Sequence, residues 1–259
     1  MIRNDSMKRK INISITITLL LLILIQSIGH AETNIPILGK NISITDTSNP
    51  EEYVSSIKLL ILFTILTLAP SILIMMTSFT RILIVLSFVR NALGTQQIPQ
   101  NQILIGLALF LTFFIMAPVA TQINEQAIQP YVKEEINQEQ MIEKTMEPIR
   151  TFMFKQTKEK DMGLFLKIAK IDKVDKIEEI PTKVLIPSFI ISEIKTAFQI
   201  GFVIFVPFLV IDMVVASTLM SMGMMMLPPA MISLPFKLLL FIMVDGWNLI
   251  IGQLVNSFN

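Results

Sequence analysis

Between Lys58 and Arg81 the chain runs from Leu59 to Thr80 without one charged side chain. A helix of that length rises far enough to cross the roughly 30 Å hydrocarbon layer of a bilayer. A second such segment follows from Ile103 to Ala120, and from Val184 to Asn259 the chain is again almost continuously apolar. With 53% hydrophobic residues and a mean hydropathy of +0.66, these stretches define the class as an all-α membrane protein. Pro70 interrupts the first segment, and Pro187, Pro207, Pro228, Pro229 and Pro235 interrupt the last. Each removes a helical hydrogen bond, so the expectation is of kinked or divided helical hairpins whose freed backbone groups are re-satisfied by neighbouring protein.

Arg3, Lys8, Arg9 and Lys10 precede an apolar run from Ile11 to Ile25, and Gly29-His30-Ala31 follows it. This is the layout of a secretory signal peptide cut after Ala31, with an apolar run too short to span; an uncleaved N-terminal anchor is the alternative. The resulting plan places a signal peptide at 1–31, an extracytoplasmic segment at 32–56 and a first membrane-associated helical hairpin at 57–121. Within that hairpin the connection 81–101 carries Arg81 and Arg90 and no acid, which by the positive-inside rule places it in the cytoplasm. Residues 122–183 are a polar insertion rich in charge of both signs, with Met141, Ile142, Met146, Ile149, Phe152 and Met153 at helical spacing. That pattern predicts a small helical extracytoplasmic domain. The second hairpin, 184–259, is expected to hold two helical segments that meet at Pro228-Pro229.

Several chemistries are removed by what the chain lacks. The 21 basic and 20 acidic residues are balanced, so the basic footprint that nucleic acid requires is missing. There is no cysteine, and the single histidine, His30, falls within the expected leader. No thiolate metal site, disulfide or imidazole-based catalysis is therefore expected. No Walker-type loop, HExxH or GxSxG occurs. Glu134-Glu135 and Glu178-Glu179 are neighbours that point to different helix faces within the charged insertion, which reads as solvated surface. A chain without catalytic role, cofactor or metal is the expectation.

The informative ionisable groups are those set in apolar sequence: Glu193, Asp212 and Lys237. A charge at bilayer depth costs about 2.5–3.5 kcal/mol on insertion scales and so demands a partner or a wet cavity. Glu193 and Lys237 are too distant in sequence to be helix neighbours, which leaves pairing across a hairpin or across a subunit boundary; an assembly role is favoured over a proton relay. Seven of the 17 methionines lie between Met213 and Met231, with Met224, Met225 and Met226 consecutive after Gly223 and ahead of Pro228-Pro229. Flexible thioethers suit a ring that closes around polypeptides of varied shape, and they suit a methionine-rich membrane core equally well.

Met75-Met76-Thr77-Ser78-Phe79-Thr80-Arg81 and Arg90-Asn91-Ala92-Leu93-Gly94-Thr95-Gln96-Gln97 closely resemble the FliP export-gate family. So do the block from Ile191 to Phe202, the blocks Asp212-Met213-Val214-Val215-Ala216-Ser217 and Met220-Ser221-Met222-Gly223-Met224, and Leu234-Pro235-Phe236-Lys237-Leu238. The resemblance extends from Pro70 to Phe258 outside the polar insertion. It implies a subunit of a homopentameric core in the bacterial inner membrane at the flagellar basal body. With FliQ and FliR, and with FlhA and FlhB as further neighbours, that core admits unfolded protein substrates to a type III export system. It also implies that Met224, Met225 and Met226 form a gasket constricting the pore, that Glu193 and Lys237 pair between subunits, and that the hairpins pack in protein largely above the membrane plane. The leader, the insertion and the run Val244-Asp245-Gly246-Trp247-Asn248 look more like the flagellar branch than the injectisome branch of virulence systems. Gln100, where a second proline is commoner, and Ser188, where alanine is commoner, depart from the family pattern. Two other classes compete: an ion or small-molecule transporter with Glu193, Asp212 and Lys237 at a midplane site, for which no internal symmetry is visible, and a membrane-embedded enzyme, for which no catalytic constellation exists.

Overall fold

The computed structural model describes residues 35–37, 40–42, 50–95, 97–171, 179–224 and 226–258. The expected leader at 1–31, including His30, lies outside the described residues, as do Glu178 and Met225. Two compact units meet at residues 67 and 68. The first holds a short antiparallel hairpin, β1 (Ile35–Ile37) with β2 (Lys40–Ile42), in which Ile35 faces Ile42, and most of helix α1 (Pro50–Met75). Pro70 does not divide α1, which continues through it to Met75. The stretch Ile57–Met75 is long and apolar enough to cross a membrane, and none of it is buried.

The centre of the second unit is α2 (Phe79–Leu93). Residues 81–101, expected as a connection between spans, thus begin with a helix that the core encloses. The reason is its periodicity: Ile82, Val85, Leu86, Val89, Ala92 and Leu93 recur at three- and four-residue spacing and are all buried. The helix ends at Gly94, whose φ of 75° places it in the left-handed region and lets its N–H bond the carbonyl of Asn91. Around α2 pack α3 (Asn101–Ile123), α7 (Thr182–Ser221) and α8 (Pro229–Met243). Leu104 and Ala108 of α3, Ala197 and Phe208 of α7, and Phe241 of α8 fill the same core, with Leu254 of α9 (Gly246–Asn256). Gln100, just before α3, has a φ of −60°, the angle a proline ring fixes, so the family's commoner residue fits the same backbone.

Over its described residues the polar insertion is mainly helical. From α3 the chain passes through a π-helical turn at Asn124–Ile128 into α4 (Gln129–Val132), then α5 (Gln138–Gln156) and α6 (Glu159–Ile168). Asn137 starts α5 with a reciprocal capping box: its side chain accepts from the Gln140 N–H at 2.9 Å, and its own N–H donates to the Gln140 side chain at 3.1 Å. Glu134 and Glu135 are exposed in the turn after α4. Met153 of α5 and Met162 of α6 join Val184, Leu185 and Phe189 of α7 in a second core.

Helix α7 has 40 residues and runs unbroken through Pro187 and Pro207. At 1.5 Å per residue it is about 60 Å long, roughly twice the hydrocarbon thickness of a bilayer. Its buried residues concentrate in the first half, from Val184 to Gly201, whereas its second half exposes Val206, Val210, Met213 and Val214. Asn101–Val132 and Thr182–Ser221 join Ile57–Met75 as segments long and apolar enough to cross a membrane. The final third holds three helices where two were expected, because α8 and α9 meet at a 65° bend. There Asp245 takes a φ of 49°, and Gly246 sits so close to Phe241 that a Cβ would lie 2.4 Å from the ring.

The α2–α7 crossing depends on a similar contact. A Cβ added at Gly201 would lie 2.5 Å from Cγ and 3.0 Å from Cβ of Phe88, atoms close to the backbone that cannot swing aside. Gly201→Ala is expected to cost about 1–3 kcal/mol by overpacking. It should lower the thermal midpoint of the detergent-solubilised protein, and combining it with Phe88→Ala should cost less than the sum of the two single changes. An unchanged midpoint in Gly201→Ala would contradict the crossing.

Candidate functional site

Met222, Met224 and Met226 stand in the turn between α7 and α8. Helix α7 ends in a Schellman motif, with the Gly223 N–H bonding the Met220 carbonyl at 3.1 Å and the Met224 N–H bonding the Leu219 carbonyl at 3.0 Å. Gly223 permits it with a φ of 76°. Pro229 then opens α8 at a position where a missing N–H costs nothing. The end of α7 is therefore well specified, yet the side chains beside it are exposed: Met220, Met222, Met224, Met226 and Leu227. The result is a tip of flexible apolar side chains on a firmly ended helical hairpin. Beside it, an apolar cavity of about 500 Å³ lies between α7 and α8, lined by Val210, Val214, Leu219, Ile232 and Phe236 among others.

The hairpin is fastened to the core behind this tip. The buried Lys237 of α8 donates to Asp212 Oδ2 of α7 at 2.6 Å and to the Ala92 carbonyl of α2 at 3.2 Å, and the Ser233 hydroxyl donates to Asp212 Oδ1 at 2.5 Å. Ala92 lies at the C-terminal end of α2, where unpaired carbonyls and aligned peptide dipoles favour a cation. One ammonium thus ties three helices together.

At the opposite end of α2, Arg81 makes a two-point contact with Glu193 of α7. Its Nε donates to Glu193 Oε2 at 2.9 Å, its Nη2 donates to Glu193 Oε1, and both side chains are buried. Nη2 also reaches Gln156 of α5 at 2.9 Å, Nη1 bonds the Ser257 carbonyl at 2.8 Å, and the guanidinium carbon stands 3.9 Å above the Phe258 ring. Gln156 completes the set by donating to the Phe258 carbonyl at 2.9 Å. Removing one partner of a buried ion pair typically costs about 3–5 kcal/mol, because the other charge is left uncompensated. The Arg81 charge, which the sequence pattern assigns to a cytoplasmic connection, is consumed inside the core.

A third contact fixes the insertion on α7. The buried Asp161 of α6 accepts from Ser192 at 2.8 Å and from the half-exposed Lys195. Burial raises the Asp161 pKa, but hydrogen bonds from Lys195 and Ser192 and the charges of Lys195 and Lys158 outweigh it and hold the carboxyl below its ordinary value.

Within the single chain, the expected partners Glu193 and Lys237 are not brought together. Glu193 bonds Arg81, and Lys237 bonds Asp212. The chain thus supplies two partners that spacing alone did not identify. Arg81 was legible only through the buried stripe of α2, and Asp212 stood out as embedded without its partner being readable. No group of three or more His, Cys, Asp or Glu able to hold a metal occurs among the described residues.

The FliP family matches the chain over residues 62–254. The chain is 59% identical over 217 residues to the flagellar biosynthetic protein FliP of Bacillus subtilis, an overlap of 84% of this chain and 98% of that relative. To the proteins of the same name from Pectobacterium carotovorum and Aquifex aeolicus it is 54% and 52% identical, over 80% and 79% of this chain and 81% and 87% of those relatives.

The lowered pKa of Asp161 has a defined consequence for stability. Its contribution is fully present above the unfolded-state value of about 4 and is lost as pH falls through the lower folded-state value. The difference in thermal midpoint between the native protein and Asp161→Asn should be constant near pH 7 and shrink below about pH 4; a gap that widens on acidification would reverse the assignment.

Proposed function

Since the chain belongs to the FliP family, we propose that it is a non-enzymatic subunit of the flagellar type III export gate in the bacterial inner membrane. In this reading it assembles as a pentamer with FliQ and FliR, with FlhA and FlhB as neighbours, and passes unfolded flagellar proteins. The observation that carries the reading is the exposed methionine turn on a hairpin fastened to the core through Asp212 and Lys237. Copies of this tip around an axis would meet as a ring of thioethers. Such a ring has no fixed charge to retain water or ions, and its rotamers adapt to whatever extended segment passes. The rigid base keeps the tips at one radius while the tips themselves remain deformable. Met224 and Met226 stand on that turn, and Met225 belongs to the same run in sequence.

The length of α7 supports a placement in which its first half, with the insertion packed on it, projects on the extracytoplasmic side. A pairing of Glu193 with Lys237 of a neighbouring copy belongs to the same proposal; because both side chains are buried in their own chain, it requires them to exchange Arg81 and Asp212 for each other on assembly. Reversing both charges should then restore assembly lost in either single reversal. A defect that persists in the double variant would leave these groups to Arg81 and Asp212 alone.

The gate itself is tested by replacing Met224, Met225 and Met226 together with alanine and following ion leakage, motility and secretion of flagellar substrates. Leakage with assembly intact is the expected result. Normal sealing and normal export would return these residues to core packing and remove the gate from this turn.

A further inference from the structure

The chain contains 17 methionines and no cysteine, so thioethers are its only oxidisable sulfur. The described ones differ in their surroundings. Met153 is 0% exposed and packs in the core under the insertion, where Met76 and Met162 are also buried. The turn between α7 and α8 is the opposite case: Met220 is 64%, Met222 67%, Met224 43% and Met226 98% exposed. Elsewhere, exposed methionines such as Met213 and Met243 stand on helix faces surrounded by other apolar side chains that suit lipid or partner helices. Met222, Met224 and Met226 lie instead at or past the end of α7, where the chain leaves the helix at Gly223.

We infer that Met220, Met222, Met224 and Met226, at the end of α7 and in the turn after it, are sites of reversible methionine oxidation by peroxide-class oxidants, and that sulfoxide formation there opens the seal. The step is self-contained: the O–O bond of hydrogen peroxide breaks, one oxygen bonds to Sδ, the sulfur gives up two electrons, and the peroxide is reduced to water. The product is a polar, chiral sulfoxide that a reductase of the methionine sulfoxide class returns to the thioether. A side chain that excluded water becomes a strong hydrogen-bond acceptor, so a thioether ring that was dry becomes wettable. The second half of this inference rests on the gate reading; the first half, the site of modification, does not.

The test exposes the assembled complex in proteoliposomes to hydrogen peroxide and quantifies oxidation at each methionine by mass spectrometry while ion leakage is followed. Met226 and Met222 are expected to oxidise at least tenfold faster than Met153 and Met76, and faster than Met213 and Met243. Leakage should rise in step and fall again on treatment with methionine sulfoxide reductase. In a variant with Met220, Met222, Met224 and Met226 replaced by leucine, the ratio of leakage after peroxide to leakage before it should stay near one, whatever the resting level. Oxidation of the turn no faster than that of Met153 would overturn the modification site. Fast oxidation without added leakage would overturn its effect on the seal. The gate reading fails separately, if alanine in place of the methionine run leaves an assembled complex that does not leak without peroxide.

Discussion

The fold is organised by the need to neutralise charges carried on one long apolar helix. Glu193, Lys195 and Asp212 all lie on α7, and each meets an opposite charge from a different helix: Arg81 of α2, Asp161 of α6 and Lys237 of α8. Arg81 and Glu193 are buried on both sides, and in the other two pairs one partner is buried, so a buried charge in each contact fixes the position of the helix that supplies the partner. The hydrophobic stripe of α2 determines which face is buried; the charges at its two ends determine its register along α7. Arg81 enters near its first turn, and the Ala92 carbonyl at its last turn receives Lys237.

This arrangement divides the molecule into a stiff part and a deformable one. Around Arg81, the guanidinium, a carboxylate, an amide and two main-chain carbonyls are bonded to one another under the Phe258 ring, leaving little freedom in that end of the bundle. Around the methionine turn the backbone is closed by the Schellman bonds, but the side chains contact little. Between the two, the Asp212–Lys237–Ser233 contact fastens α8 to α7.

Much of this was legible in advance. The apolar runs, the helical insertion and the methionine cluster could be read from residue type and spacing, and motif resemblance pointed to the family that the comparisons establish. What proline meant was less legible. Pro70, Pro187 and Pro207 lie inside continuous helices, and the sharp break in the last third comes instead at Asp245-Gly246, where a left-handed residue and a close aromatic contact coincide. A proline removes one hydrogen bond, which surrounding protein can absorb; a residue in the left-handed region redirects the chain outright.

The sequence by itself determined that the chain is helical and apolar enough for a membrane, that it has few means of catalysis, and that Glu193, Asp212 and Lys237 required partners. Those properties are local, set by hydrophobicity, periodicity and the cost of an unpaired charge. Only the tertiary structure decided which partners they take. Arg81 and Glu193 are separated by 112 positions, and the Lys237 ammonium bonds a carbonyl 145 positions away. No spacing rule reaches that far, because the pairing follows from how α2 crosses α7, and that crossing is set by the absence of a side chain at Gly201 and the ring of Phe88 that fills its place.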